Sequence, residues 1–268
     1  VDLDAYAHFG RLKFDRPQAG VLRIIISSPL KMNVMDAQLH RELSIVWAVA
    51  DADKATSAIL IASDSQAFSA GGDLNHQRAV MASHELQKTL FKESRDLIHG
   101  MLNCSKPIVS AVNGWAVGAG LACALLADIS IVAKSAKLSD GHIKIGLPAG
   151  DHAPIIWPLL CGLAKAKYYL LLGEPISGLE AERIGLVSMA VDDEELQSTA
   201  LEVVGRLANS SASAVGWTKH ALNHWVRQAG PIFESALALE LFAMQGRDAG
   251  EGLAAFLEKR PPVFSKDE

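Results

Sequence analysis

An α/β fold that ends in a helical region is what the patterning of this chain predicts, and three observations carry it. Short β-branched runs alternate with helix-period segments over the first two thirds of the sequence. After about Asp192 the pattern is entirely helical. Between these lies Lys106–Gly120, with a buried strand, a glycine-bearing turn and the start of an apolar helix running through Leu126. The division this predicts is a core over 1–195 and a helical region over 196–268.

Each element follows from its residues. Val21–Ile26 is a β-branched run, hence a buried strand. Asp36 opens a helix to about Asp53, because Leu39, Leu43, Val46, Trp47 and Ala50 recur at helical spacing. Ala58–Ala62 is a strand, and Gln66–Asp73 is a loop carrying Ala70-Gly71-Gly72-Asp73. Ser83–Asn103 is helical, Pro107–Val112 a strand, Ala119–Ala127 a buried helix and Ile129–Ala133 a strand. Asp140–Trp157 holds Gly141, Gly146, Pro148, Gly150 and Pro154 and is mostly loop, with a helix starting near Ala153. Ser177-Gly178-Leu179-Glu180 matches a capping box, and Gly185 is placed to end that helix. Four helices then follow, over 193–208, 213–228, 231–245 and 250–259.

Composition narrows the function classes. The chain has 268 residues, 50% hydrophobic and 21% charged, which suits a soluble globular protein with a sizeable core. A formal charge of −5 without a basic run argues against nucleic-acid binding. Cys104, Cys123 and Cys161 are odd in number and lie apart among apolar neighbours, as buried reduced thiols do. No metal-ligand spacing stands out, and no metal is expected. Val1-Asp2-Leu3-Asp4 lacks the regions of a signal peptide. The apolar window Ala116–Leu126 ends at Asp128, well short of a membrane span. A cytoplasmic protein with no membrane partner is therefore expected.

The chemistry begins at the helix start. Backbone N–H groups there have no partner inside the helix, and the positive end of the helix dipole adds to their pull on a negative oxygen. Gly118-Ala119-Gly120 admits three readings. A dinucleotide fingerprint wants a third glycine where Cys123 stands. Small residues could simply allow close helix–strand packing. An oxyanion hole needs a second donor, and Gly72 in the Ala70–Asp73 loop is the candidate.

Several motifs in order then resemble the crotonase (enoyl-CoA hydratase/isomerase) superfamily. They are Ser28-Pro29-Leu30-Lys31-Met32-Asn33-Val34-Met35, Ala67-Phe68-Ser69-Ala70-Gly71-Gly72-Asp73-Leu74, Lys106–Asp128, Ala181–Val187 and Glu251–Phe264. The resemblance covers about residues 10–264. It implies a ββα spiral followed by a helical oligomerisation region, in a homotrimer or a dimer of trimers. It also implies an oxyanion hole at the N–H groups of Gly72 and Ala119, and contacts to CoA from Lys31, Ala70, Lys259 and Phe264. CoA would enter as part of the substrate, with no tightly bound cofactor.

The chain departs from that family in its acid–base residues. The resemblance implies one glutamate where Ala122 stands and another fourteen residues after Asp128, where His142 stands. Histidine titrates near neutrality and serves as acid or base. Asp151 follows in the same loop, and a carboxylate bonded to a histidine fixes its tautomer. His142 oriented by Asp151 is the expected catalytic pair. The pattern Asp140-Gly141-His142…Asp151-His152…Trp157-Pro158 also resembles the loop of 6-oxocamphor hydrolase, a superfamily relative that cleaves a cyclic β-diketone. His152 and Trp157 are further candidates on that basis. Glu240 stands where the resemblance implies a glutamate is often found; it is a further candidate that could approach the pocket, with a structural ion pair the favoured role.

Three functions follow. One is an acyl-CoA enzyme, performing hydration, isomerisation or C–C hydrolysis through a thioester enolate. A CoA-independent β-diketone hydrolase is the second, and a non-catalytic acyl-CoA-binding protein the third.

Overall fold

The computed structural model describes residues 3–266; Val1 and Asp2, part of the segment searched for a leader, lie outside the described residues. Six strands form the main sheet: β1 (Leu12–Asp15), β2 (Val21–Ile26), β3 (Ala58–Ser63), β4 (Ile108–Val112), β6 (Ile129–Ala133) and β9 (Met189–Val191). They lie in that order; β1 runs antiparallel to β2 and every later pair is parallel. All five residues of β4 are buried, as are five of six in β3. Strands buried on both faces show unbroken apolar runs, which is why these two were legible in the sequence.

A second sheet joins β5 (Trp115–Val117), β7 (Lys137–Ser139) and β8 (Ile176–Ser177). Its members are short and partly polar, so periodicity did not reveal them. They show how the chain winds. β4 enters the main sheet and β5 the small one; β6 and β7 repeat the step. Ser69, after β3, makes the same move through a bridge to Ala116. Each turn of chain thus contributes once to each sheet, which is the expected ββα spiral.

Ten helices are found among the described residues. The first, α1 (Ala37–Ala52), starts where expected: the Asp36 carboxylate accepts the Leu39 N–H at 2.8 Å. A short α2 (Leu74–Met81), missing from the sequence expectation, is capped by Asp73. Next come α3 (His84–Asn103) and the buried α4 (Ala119–Leu125), the latter two residues shorter than expected. The long α5 (Ala153–Leu172) is apolar and long enough to cross a membrane. Its first turn, with Ala153, Ile155, Ile156 and Trp157, is nevertheless in the core, and Gly162 at φ 75° breaks its course. In α6 (Gly178–Arg183) the Ser177 hydroxyl accepts the Glu180 N–H, while the Glu180 carboxylate takes Arg183 and Tyr169 rather than completing the capping box. The chain closes with α7 (Leu196–Ala208), α8 (Ala212–Gln228), α9 (Gly230–Ala243) and α10 (Arg247–Glu258). Leu196, Ala200 and Val204 of α7 join the main core.

Two polar devices lock the spiral. Lys219 of α8 bonds the Asp128 carboxylate at 2.8 Å and the Lys106 carbonyl at 2.9 Å, and Asp128 also accepts the Ile108 N–H. The ends of the Lys106–Asp128 motif are therefore structural. Asn33 is the second. Fully buried, its amide accepts the Ser28 N–H at 2.9 Å and donates to the Ile26 carbonyl at 3.0 Å and the Ser63 hydroxyl at 2.8 Å. Its backbone sits at φ 51°, a region that asparagine tolerates better than other side chains.

Asn33→Ala should therefore cost about 2 kcal/mol, since it strands buried partners and forces alanine into a left-handed conformation. A denaturant titration checks this as a lowered midpoint with an unchanged slope.

Candidate active site

Local backbone demands build the first wall of the site. The segment Ser69–Asp73 is held from both sides. Ala70 N–H reaches the Met32 carbonyl, Met35 N–H the Gly71 carbonyl and Asp73 N–H the Met35 carbonyl, all at 2.8–3.0 Å. On the other side Ser69 N–H reaches the Trp115 carbonyl at 3.0 Å, and Val117 N–H returns to the Ser69 carbonyl at 2.9 Å. Gly118 then turns the chain into α4 with φ 54° and ψ −130°, which only glycine adopts readily. Gly120 has a different reason. A Cβ there would meet the Ser69 Cβ at 2.4 Å, so its absence brings α4 against the loop.

Gly72 and Ala119 consequently line one cavity, of about 190 Å3. Among the described residues, neither backbone N–H has a hydrogen-bond acceptor. Ala119 is the first residue of α4 and lacks an intrahelical acceptor. Ala70 also lines the cavity, and so does Ala122, where the family resemblance implies a glutamate.

The opposite chemistry comes from the Asp140–His152 loop and α9. His142 lines the cavity, and its Nδ1 lies 2.8 Å from Asp140 Oδ1. Asp140 also accepts the His142 backbone N–H at 3.3 Å, a local turn of the kind aspartate favours. The expected pairing of His142 with Asp151 is not what forms. Asp151 bonds His152 Nδ1 at 2.8 Å instead. His152 Nε2 accepts the Trp157 indole N–H at 3.4 Å, with both side chains fully buried. Trp157 and His152 thus stand behind Asp151, and only Asp151 of the three lines the cavity.

Glu240 is not remote. It lines the cavity, is 7% exposed, and places Oε1 3.6 Å from His142 Nε2. Gly150 makes this approach possible, since a Cβ there would lie 2.3 Å from both Glu240 Cβ and Oε2. Asp140 Oδ2 and Glu240 Oε2 are buried without a hydrogen-bond partner.

These contacts set the charges. Burial works against a charged His142, but the charges of Asp140 and Glu240 and the Asp140 hydrogen bond outweigh it, and the ring titrates well above its ordinary range. Burial, followed by the charges of Asp151 and Asp140, pushes Glu240 up to about 7, with His142 pulling the other way. Burial also opposes the Asp151 charge, yet His152 and then His142 hold its carboxyl below the usual carboxylate range. Asp140, Asp151 and His152 bring ligand atoms within 4.8 Å of one another, a spacing a metal ion could use, but one oxygen of each carboxylate is already bonded to a histidine.

Lys31, Lys259 and Phe264 do not line the cavity. Lys31 is exposed in the turn Lys31–Asn33, and Lys259 is the exposed left-handed cap of α10 at φ 55°. Phe264 lies in an adjoining groove with Ile143, Leu171 and Pro262, and Phe256 lines both that groove and the cavity.

Known proteins place the chain in a family. The family model described as enoyl-CoA hydratase/isomerase matches residues 16–267. The chain belongs to the enoyl-CoA hydratase/isomerase family. A probable enoyl-CoA hydratase of Rhizobium meliloti is 33% identical, over 92% of this chain and 95% of that protein. The crystal structure of an enoyl-CoA hydratase/isomerase from Mycobacterium paratuberculosis, 31% identical, superposes with a TM-score of 0.86 over 91% of this chain and 97% of that one. A β-diketone hydrolase of the cyanobacterium Anabaena sp. PCC 7120 shares the fold, with a TM-score of 0.84 at 22% identity over 91% of this chain and 98% of that one. Within this hydratase/isomerase-family chain, sequence reasoning missed Asp140 as the partner of His142. The signal was the spacing Asp140-Gly141-His142, which suits an aspartate bonding two residues ahead.

Two measurements check the electrostatics. Asp140→Asn removes a charge that favours imidazolium, so the His142 titration followed by NMR should move down. A carboxyl raised from 4.5 to about 7 on folding stabilises the native state most below pH 4.5, and that contribution is lost as pH rises through about 7. Glu240→Gln should therefore flatten the decline of stability between pH 4.5 and 7, as read by denaturation at each pH.

Proposed function

We propose that this family member is an acyl-CoA enzyme that carries its substrate through a thioester enolate bound by the Gly72 and Ala119 N–H groups, with His142 and Glu240 moving protons. The observation that carries this reading is the placement of two unpartnered N–H groups and a histidine–carboxylate pair on one cavity with apolar walls. CoA enters as the carrier half of the substrate.

In hydration, the water oxygen bonds to the β-carbon of the enoyl thioester. Its proton passes to Glu240, whose value of about 7 suits a base at neutral pH. The electron pair moves to the thioester oxygen, where the two N–H groups stabilise it by about 3–4 kcal/mol per donor. The His142 imidazolium, kept charged by Asp140, gives a proton to the α-carbon as the enolate collapses. Asp151 is the poorer proton carrier, because His152 holds it ionised. The same groups serve C–C hydrolysis: water adds to a β-carbonyl, the C–C bond breaks, and its electron pair forms the enolate.

One observation favours a second reading, a CoA-independent β-diketone hydrolase. Of the residues expected to meet CoA, Ala70 lines the cavity, but Lys31, Lys259 and Phe264 lie outside it. The Anabaena relative was crystallised with (S)-3-oxocyclohexyl acetic acid, a ligand without CoA. Calorimetric titration with CoA and with crotonyl-CoA separates the two; binding of neither removes the acyl-CoA reading.

The assembly proposed is a homotrimer or a dimer of trimers. Its support is apolar surface left open on α5, α8 and α9, where Leu163, Leu171, Trp217, Trp225 and Phe242 are more than half exposed. The helical region over 196–268 would supply part of these contacts.

Three outcomes are expected. His142→Ala and Glu240→Gln should each lower kcat by about 100-fold or more with KM little changed. Ala119→Pro deletes one N–H at the first helical position, where proline is tolerated, so kcat should fall about 100-fold or more while the melting temperature barely moves. Light scattering should return the mass of three or six chains, and a monomer would remove the assembly.

A further inference from the structure

The mechanism leaves polar side chains on the cavity unused: Asp73, His76 and Gln77 at the start of α2, and a cluster between α1 and α3. His40 lies in the first turn of α1, and Glu93 and Ser94 lie mid-way along α3. His40 and Ser94 both line the cavity, on a wall formed by different elements from those carrying His142 and Glu240. Each is 9% exposed. Glu93 Oε2 lies 2.8 Å from His40 Nδ1 and fixes the ring. Among the described residues neither His40 Nε2 nor the Ser94 hydroxyl has a hydrogen-bond partner. Neither atom is among the buried side-chain atoms left without a partner, so both keep some exposure, in residues that line the cavity. Around them the lining is apolar: Leu90, Leu97 and Ile98.

Two unpaired polar atoms beside an otherwise apolar wall make poor company for a plain alkyl chain. Covering them would strip their water and return nothing. An oxygen in the right place restores both bonds, and pockets use a few such groups to fix orientation. We infer that His40, held by Glu93, and Ser94 form a subsite for a hydroxyl or keto oxygen on the acyl group, so that the substrate class is an oxygenated acyl thioester. The thioester half of that statement rests on the proposed function; the oxygen half rests on the cluster. With Nδ1–H given to Glu93, Nε2 accepts from a hydroxyl; with the ring protonated, Nε2–H donates to a keto oxygen. The Ser94 hydroxyl serves either case.

The test uses trans-hex-2-enoyl-CoA and its analogues with a hydroxyl on carbon 4, 5 or 6 or a keto oxygen on carbon 4 or 5. The matching free acids form a second series. Wild type, His40→Leu and Ser94→Ala are compared by kcat/KM and calorimetry, and the His40 ring nitrogens are followed by NMR. At least one oxygenated compound should be preferred about tenfold or more over the unsubstituted one, should shift the His40 Nε2 signal, and should lose its preference in both variants. The hydroxyl and keto arms report which oxygen is read. If His40→Leu fails to fold, the smaller change Ser94→Ala carries the comparison. Thioesters that turn over with no oxygen preference overturn the subsite and leave the proposed function standing. Discrimination among the free acids without any thioester binding does the reverse.

Discussion

Everything at this site depends on the segment Ser69–Asp73 being stitched on both sides. Backbone hydrogen bonds tie it to Met32–Met35 along one edge and to Trp115–Val117 along the other. Ser69 then sits where only a glycine at position 120 leaves room for α4. The Gly72 N–H and the start of α4 therefore face one cavity chiefly as a consequence of main-chain geometry, helped by the Ser69 hydroxyl, which donates to the Asn33 carbonyl at 2.9 Å and accepts the Gly71 N–H at 3.3 Å. In the proposed enolate chemistry such a donor pair would be preorganised, in place before charge develops and needing no rearrangement when it does. Asn33 matters for the same reason, because its amide fastens the neighbouring segment to β2 and β3.

The second wall is built differently. It concentrates Asp140, His142, Asp151, His152 and Glu240 in a buried space, which works against stability, since charges lose their water there. Pairing offsets part of that cost. Asp140 takes His142 and Asp151 takes His152, while Glu240 is left with the weakest contact and with a titration near neutrality. Two buried carboxylate oxygens remain unpartnered. Groups held with unequal support are the ones whose proton affinities are pushed apart, and that difference is what acid–base work requires.

The fold around the site combines a closed core with an open apolar face. Strands β3 and β4 are almost wholly buried, whereas α5, α8 and α9 leave large apolar side chains at the surface. The apolar length of α5 has the same origin. Its first turn is core, and Leu159, Leu160, Leu163, Leu171 and Leu172 further along it belong to the exposed face, while Ala166 returns to the core.

The sequence by itself determined four strands of the main sheet, β2, β3, β4 and β6, but not the edge strands β1 and β9, together with the long helices and the glycine-bearing loops. Those features are local: β-branched runs, helical spacing, capping residues and glycines where the backbone needs them. Local pattern pointed to the turns that carry Gly72 and Ala119, whereas His142 came from its position in the family resemblance. The short strands β5, β7 and β8 and the helix α2 escaped, because runs of two or three residues, or a weakly apolar single turn or two, carry no period to detect. Only the tertiary structure decided which acid meets which base. Asp140, Asp151 and Glu240 all come near His142, and composition cannot choose among them. The turn at Asp140 takes Nδ1, Asp151 is drawn off by His152, and Glu240 arrives from α9 because Gly150 leaves space for it. His40, Glu93 and Ser94 become a cluster for the same reason: a hydrogen bond between two helices is a fact of packing, invisible to spacing along the chain.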